Sequence, residues 1–326
     1  MKRHRSKLYL LLALVIAAVA AKYETAISPY YFQIIIYIGI NVILASRLNL
    51  INGFAGQFSL GHAGFMALGA YTSAVITSRL HLAPGLAVSY PLFAMALICG
   101  GLVASIFGLL VGIPSLRLKG DYLAITTLGL GEIIRVIIQS LDFLGAARGF
   151  TGIAKLADFF WVYAVVAIVI FTIANLVKST YGKGFLAVRD DEIAAEAVGV
   201  DATRYKIVAF ITGAFFAGIA GGLYAHFVTY INPSQFGFLR SFEIVVMVVV
   251  GGMGNIAGVI LAAAVLTILP EALRAVAQYR MVIYALLLVV IMISRPQGLF
   301  GQRLDWSRVW RWVWRRPSRP PAKGES

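Results

Sequence analysis

Long apolar runs alternate with short polar ones along the whole chain. A bilayer crossing needs about 20 apolar residues, or somewhat fewer where polar ends snorkel toward the headgroups. Runs that meet this requirement lie at 8–21, 29–46, 65–77, 90–113, 122–144, 159–177, 207–227 and 281–294. The pattern predicts an all-α polytopic membrane protein with about eight full spans, and about ten helices once short or re-entrant ones are counted. One more run, 243–269, is broken at its middle by Gly251, Gly252, Met253, Gly254 and Asn255. Irregular backbone at membrane depth is tolerated only inside protein or beside water, so this break is expected near a passage.

One polar stretch stands apart from the oily remainder. Residues 182–199 (GKGFLAVRDDEIAAEAVG) separate two spans and predict a short helix. Asp190 and Asp191 are suited to cap its N-terminus and to favour the positive end of its dipole. Gly199 is suited to the left-handed turn that ends it. Ile193, Ala194, Ala197 and Val198 fall on one face at helical spacing, giving a small apolar surface on a polar loop. A partner is expected to dock there.

Composition fits this class. Of the 326 residues, 60% are hydrophobic and 13% charged, against about 25% charged in soluble domains. The net charge of +14 gathers at both ends: Lys2, Arg3, Arg5 and Lys7 at the start, and Arg303, Arg308, Arg311, Arg315, Arg316, Arg319 and Lys323 at the finish. Basic clusters beside spans mark the cytoplasmic side rather than nucleic-acid binding. Both termini are therefore expected inside, and an even number of crossings follows only if 243–269 crosses twice or turns back. Trp306, Trp310, Trp312 and Trp314 interleave with arginines, as in a segment at the headgroup level of the lipid. The chain thus reads as one transmembrane domain, 1–301, carrying a polar loop at 178–206, followed by a basic tail, 302–326. Residues 8–21 are read as an uncleaved first helix, although Ala18-Val19-Ala20 also suits a signal-peptide cleavage site.

Catalytic and metal chemistry find little support. Cys99 is the single cysteine, which excludes an intrachain disulfide. His4, His62, His81 and His226 lack the paired spacing of a metal site. Lys178-Ser179-Thr180 lacks the glycine frame of a phosphate-binding loop, so ATP is not expected to be hydrolysed by this chain. A second glycine-rich segment, 53–69, contains Gly53, Gly56, Gln57 and Ser59 just after Asn52. Close helix packing explains it, as does a broken helix whose backbone lines the pathway; on the second reading these residues, with Gly251, Gly252, Gly254 and Asn255, are the candidate lining. Glu132 and Arg135 lie three residues apart within one span and are expected to pair, as an anchor more than as a proton relay, because other spans offer almost no titratable partner.

Several segments together resemble the LivM-type permease of bacterial branched-chain amino acid ABC importers. They are 48–65 (LNLINGFAGQFSLGHAGF), 116–135 (LRLKGDYLAITTLGLGEIIR), 189–199 (RDDEIAAEAVG), 249–255 (VVGGMGN) and 295–301 (RPQGLFG). The resemblance implies a transport subunit in the bacterial inner membrane that works by alternating access. It also implies two cytoplasmic ATPases that bind ATP and magnesium, a second permease of a different, LivH-type chain, and a periplasmic binding protein. It places ATPase coupling on Arg189, Asp190, Asp191, Glu192, Ile193, Ala194, Ala195, Ala197 and Gly199, where the motif Glu-Ala-Ala-x-x-x-Gly is partly kept. Ile193 stands at its glutamate, with Glu192 beside it. Residues 147–153 (ARGFTGI) depart from the family's Gly-Gly-Pro-x-Gly-Ile stretch, which leaves urea or short amides as alternative solutes. An ATP-independent channel is the rival from another class, and the capped polar helix argues against it.

Overall fold

The computed structural model describes residues 28–80, 89–115 and 121–276 throughout, with scattered positions in 10–21 and 279–298. The expected first and last spans lie largely outside the described residues, and the tail 302–326, both basic termini and the resemblance at 116–120 and 295–301 do so almost wholly. The described chain is helical. Helix α1 (Pro29–Asn49) starts with a proline in its first turn, where the missing N–H costs nothing. It then loosens into a π-helical stretch, Leu50–Phe54. There follow α2 (His62–Arg79), α3 (Ser89–Ser115), α4 (Asp121–Ser140) and α5 (Phe159–Lys178). Two short helices, α6 (Thr180–Asp190) and α7 (Glu192–Ala197), precede the long α8 (Ala202–Val228). A 3-10 turn at Pro233–Phe236 leads into α9 (Phe238–Gly251), and α10 (Ile256–Ala272) returns beside it.

Six described segments are long and apolar enough to span a membrane: Pro29–Phe54, Ser89–Ser115, Tyr122–Ser140, Phe159–Lys178, Ala202–Val228 and Pro233–Gly251. The expected span at 65–77 is α2, and α2 is not among the six. It carries His62, Ser73 and Thr77 in buried positions, and it can do so because α3 and α8 cover it. The run 122–144 stops being α-helix at Ser140, and Asp142–Leu144 form a 3-10 turn. The run 243–269 turns back on itself, as the glycine break implied. Gly251 lies against Val259, while Arg240 and Glu243 near the start of α9 face Thr267 and Pro270 near the end of α10. The two helices are therefore an antiparallel hairpin.

The centre of the bundle is where α2, α3 and α8 touch backbone to backbone. Gly218 of α8 sits between Gly69 of α2 and Gly100 of α3. A Cβ added at Gly218 would meet the Gly100 carbonyl oxygen at 2.6 Å and the Ala104 Cβ at 2.8 Å. Lipid tails provide no hydrophobic drive between helices, so van der Waals contact between small residues does this work. Aromatic packing seals one end of the node: Phe93 lies 4.8 Å from the His226 ring and 5.2 Å from Trp161. His226 is held there through Thr77 at 2.8 Å and the Gly222 carbonyl at 2.7 Å.

Gly218→Leu should overpack this node, costing at least about 1–3 kcal/mol, and lower the thermal midpoint of the detergent-purified protein. Gly129, where a Cβ would meet nothing within 4 Å, supplies the contrast. Gly129→Ala should leave that midpoint unchanged or raise it, because it gains about 1 kcal/mol of helix propensity.

Candidate functional site

The polar stretch forms two helices where one was expected. The chain is extended at Asp191 (φ −159°, ψ 109°), which separates α6 from α7. Asp191 is the cap: the Ala194 amide donates to its Oδ1 at 3.0 Å. Asp190 caps nothing and instead accepts from Arg189 Nη2 at 2.7 Å and Nε at 2.9 Å. Gly199 ends the unit at φ +85°. Ile193 and Val198 are 74% and 78% exposed, and Ala194 and Ala197 are exposed beside them. Ala195, counted with the coupling residues, turns inward and packs with Val188 and Ala202, because the six-residue α7 must rest one side on α6 and α8. Glu192 likewise faces inward, paired with Lys206 of α8 at 2.6 Å.

This unit is bonded to the first helix break, which in turn meets the second. Arg189 Nη1 donates to the Gly53 carbonyl at 3.2 Å, inside the π-helical stretch. Its side chain also lies along Gly56, which has φ +68°; a Cβ there would come within 2.8 Å of Arg189 Cγ. Only glycine suits that position on both counts. The hairpin turn completes the junction: the Gly254 amide donates to Asn49 Oδ1 at 2.7 Å, and Gly53 lies directly against Gly254. Asn255 closes the turn by accepting the Gly258 amide at 3.2 Å, capping α10. The glycine segments that were read as separate pathway elements thus meet each other and Arg189 at one end of the bundle.

The remaining candidates are buried beside this junction. Asn52 Oδ1 accepts from the Ser59 amide at 3.4 Å. Among the described residues, Asn52 Nδ2, both polar atoms of Gln57 and the Ser59 hydroxyl have no hydrogen-bonding partner. Gly251 and Gly252 are buried, while Gly254 and Asn255 are partly exposed. Glu132 and Arg135 lie elsewhere, near the opposite end of α9. They do pair, at 2.6 Å, and remain 35% and 26% exposed. Their side chains approach Gly237 at the entry to α9. The turn at that end is joined to the unusual 147–153 segment: Phe150 and Ile231 exchange backbone hydrogen bonds at 2.8 and 3.2 Å, and Asn232 Nδ2 donates to the Ala147 carbonyl at 3.1 Å.

Comparison with known proteins bears on what this arrangement does. Residues 30–293 match the family described as branched-chain amino acid transport system / permease component. The chain belongs to this permease family. It is 35% identical to the high-affinity branched-chain amino acid transport system permease protein LivM of Salmonella typhimurium, over 90% of this chain and 75% of that protein. LivM of Escherichia coli K12 is 34% identical over the same shares. The LivH permease of Salmonella typhimurium is 23% identical over 80% of this chain and 91% of its own length. No solved structure matches. The permease is thus a multi-pass transport subunit rather than an enzyme, and it is related to both kinds of permease chain in such a system.

Three site residues of the permease escape the pattern reading. Asn49 was hidden at the end of an apolar run, yet it is fully buried and holds the hairpin turn. Arg47 is fully buried and donates to the Gly213 carbonyl at 3.2 Å. A charge inside a spanning segment is itself a signal, but the run was ended at residue 46. Arg240 lies three residues before Glu243, the same spacing as the recognised Glu132–Arg135 pair, and bonds it at 2.9 Å.

Arg189→Ala should remove a charge-assisted hydrogen bond worth about 1.5–3 kcal/mol and leave α6 held to the π-helical stretch only by the packing of Phe185 against Leu50 and Phe54. Uptake into vesicles is expected to fall about tenfold or more, with the permease still present in the membrane.

Proposed function

We propose that the permease forms one half of the membrane core of an ATP-driven importer for branched-chain amino acids in a bacterial inner membrane, with a LivH-type chain as the other half. Identity to LivM over nine-tenths of the chain supports the amino-acid assignment, and the weaker likeness to LivH supports two related chains packed about a pseudo-twofold axis. One observation carries the mechanism. The α6–α7 unit opens an apolar face outward at Ile193 and Val198 while its inner side is bonded to the break at Gly53.

On this reading α6–α7 and both termini are cytoplasmic. Two ATPases, which bind ATP and magnesium in their own chains, seat on the open face of α7. Closure of the ATPase pair displaces α7, and Glu192–Lys206 passes the displacement to α8. Arg189 passes it to the π-helical end of α1 and so to the hairpin turn held by Asn49. The permease spans then rock between outward and inward openings. Membrane lipid surrounds the bundle, and a periplasmic binding protein delivers solute at the end formed by residues 145–158 and 229–237. The departure at 147–153 sits on that delivery face, next to Tyr230 and Asn232, and keeps urea or a short amide as the second solute class.

The test is uptake by the reconstituted complex with its binding protein, offered leucine or urea, with ATP present and withheld. ATP-dependent leucine uptake supports the reading, urea uptake alone replaces the solute, and equal flux without ATP replaces the importer by a channel. Gly199→Trp should abolish coupled uptake, because it strains a left-handed turn by about 1–2 kcal/mol and places a large ring on the docking face. Normal uptake by this variant at normal membrane abundance would remove the docking assignment.

A further inference from the structure

We infer that the hairpin α9–α10 and the facing parts of α1 and α8 hold a transit site for a zwitterionic α-amino acid, with Arg240 taking the carboxylate and Glu243 the ammonium group. The inference rests on the amino-acid reading above and assigns that solute to particular side chains.

A cavity of about 370 Å³ opens between these four helices, within the roughly 300–1,000 Å³ range of small-molecule sites. A second, of about 470 Å³, lies on the far side of the Arg240–Glu243 pair, next to Glu132 and Arg135. Gln235, Arg240 and Glu243 line both, so the charged pair is shared by the two cavities. Charged side chains within spanning segments are expensive unless they pair and face protein or a water-filled cavity. Here two acids and two arginines are gathered around connected space and sum to zero. An environment that offers both signs at short range, with no net charge, favours a dipolar solute over an anion or a cation.

The first cavity has both polar and apolar walls. Arg240 Nη2 donates to Asn41 Oδ1 at 2.7 Å, and Asn41 Nδ2 donates to Thr267 Oγ1 at 2.8 Å. This chain fixes the guanidinium from behind, leaving its pairing with Glu243 as the contact that a ligand can exchange. Glu243 is 48% exposed and Arg240 21% exposed, so the partner open to exchange is the carboxylate. An incoming amino acid replaces one intramolecular ion pair by two intermolecular ones, and no charge is left unpaired during the exchange. Met247, Leu266 and Tyr224 on the chamber wall provide apolar surface for an aliphatic side chain.

Cysteine protection tests the site. Cys99 is the chain's only cysteine, so Cys99→Ala gives a clean background for Thr267→Cys in the reconstituted complex. A small positively charged methanethiosulfonate should label this position, and leucine supplied through the binding protein with ATP should slow labelling at least threefold. Met247→Cys, in the same background, is the second probe. In parallel, Arg240→Gln and Glu243→Gln should each reduce leucine uptake more than tenfold without reducing recovery of the assembled complex. No labelling at either position, or labelling that leucine leaves unchanged while unmodified complex transports leucine, overturns the site. Uptake undiminished in both glutamine variants does the same. Unmodified complex that transports urea and no amino acid overturns the reading beneath the inference, and the inference with it.

Discussion

The hydrogen bond from the Gly254 amide to the Asn49 side chain carries a constraint on which the rest of the molecule depends. Inside a bilayer a backbone group without a partner costs several kcal/mol, and this chain interrupts its helices twice. Each interruption is satisfied by a side chain from another part of the junction. The turn at 252–255 finds its acceptor on α1 just before the π-helical stretch, and that stretch presents the Gly53 carbonyl to Arg189. Removing the Asn49 side chain leaves the Gly254 amide without its acceptor, and removing the Arg189 side chain takes a donor from the Gly53 carbonyl. On the proposed importer reading, this junction is the route by which a push on the short surface helix reaches both helix breaks.

The rest of the bundle divides accordingly. The contact of α2, α3 and α8 through Gly69, Gly100 and Gly218 leaves no room for sliding, so these three helices act as a block. The interrupted helix α1 and the hairpin α9–α10 lie against that block and carry the polar groups: Arg47, Asn41, Arg240 and Glu243. Motion is easiest where packing is least regular, and both the junction and the chambers are located there. At the end of the bundle away from the junction, residues 147–153 and 230–235 are tied together by the Phe150–Ile231 bridge.

Much of this was legible in the chain. The apolar runs gave the helical class, the glycine cluster at 251–255 gave the hairpin, and Gly199 gave the end of α7. Position in three dimensions was harder to read. Asp190 and Asp191 are chemically equal as caps, and only the break in φ at Asp191 selects between them. Helical spacing left Ala195 off the face of Ile193, Ala194, Ala197 and Val198, in agreement with its inward position; only the family motif grouped it with them. Five of the eight expected spans are among the six long apolar helices of the described residues, and the sixth, Pro233–Gly251, comes from the broken run; α2, shielded by its neighbours, is free to keep polar side chains that lower its hydropathy, and 8–21 and 281–294 lie largely outside the described residues. Nothing local announced that residues 49, 53, 189 and 254 would meet, since such contacts depend on how helices far apart in sequence cross.

The Arg240–Asn41 hydrogen bond joins positions 199 residues apart, and this has a bearing on how the chain is made. Synthesis runs from the N-terminus, so α1 is already in the membrane when α9 emerges. The hairpin brings a guanidinium into the bilayer only after its amide partner is waiting there, and the turn at Gly254 likewise arrives to find Asn49 in place. An order of assembly is thereby written into the sequence. If α1 were misplaced, α9–α10 would lack the Asn41 acceptor for Arg240 and the Asn49 acceptor for the Gly254 amide.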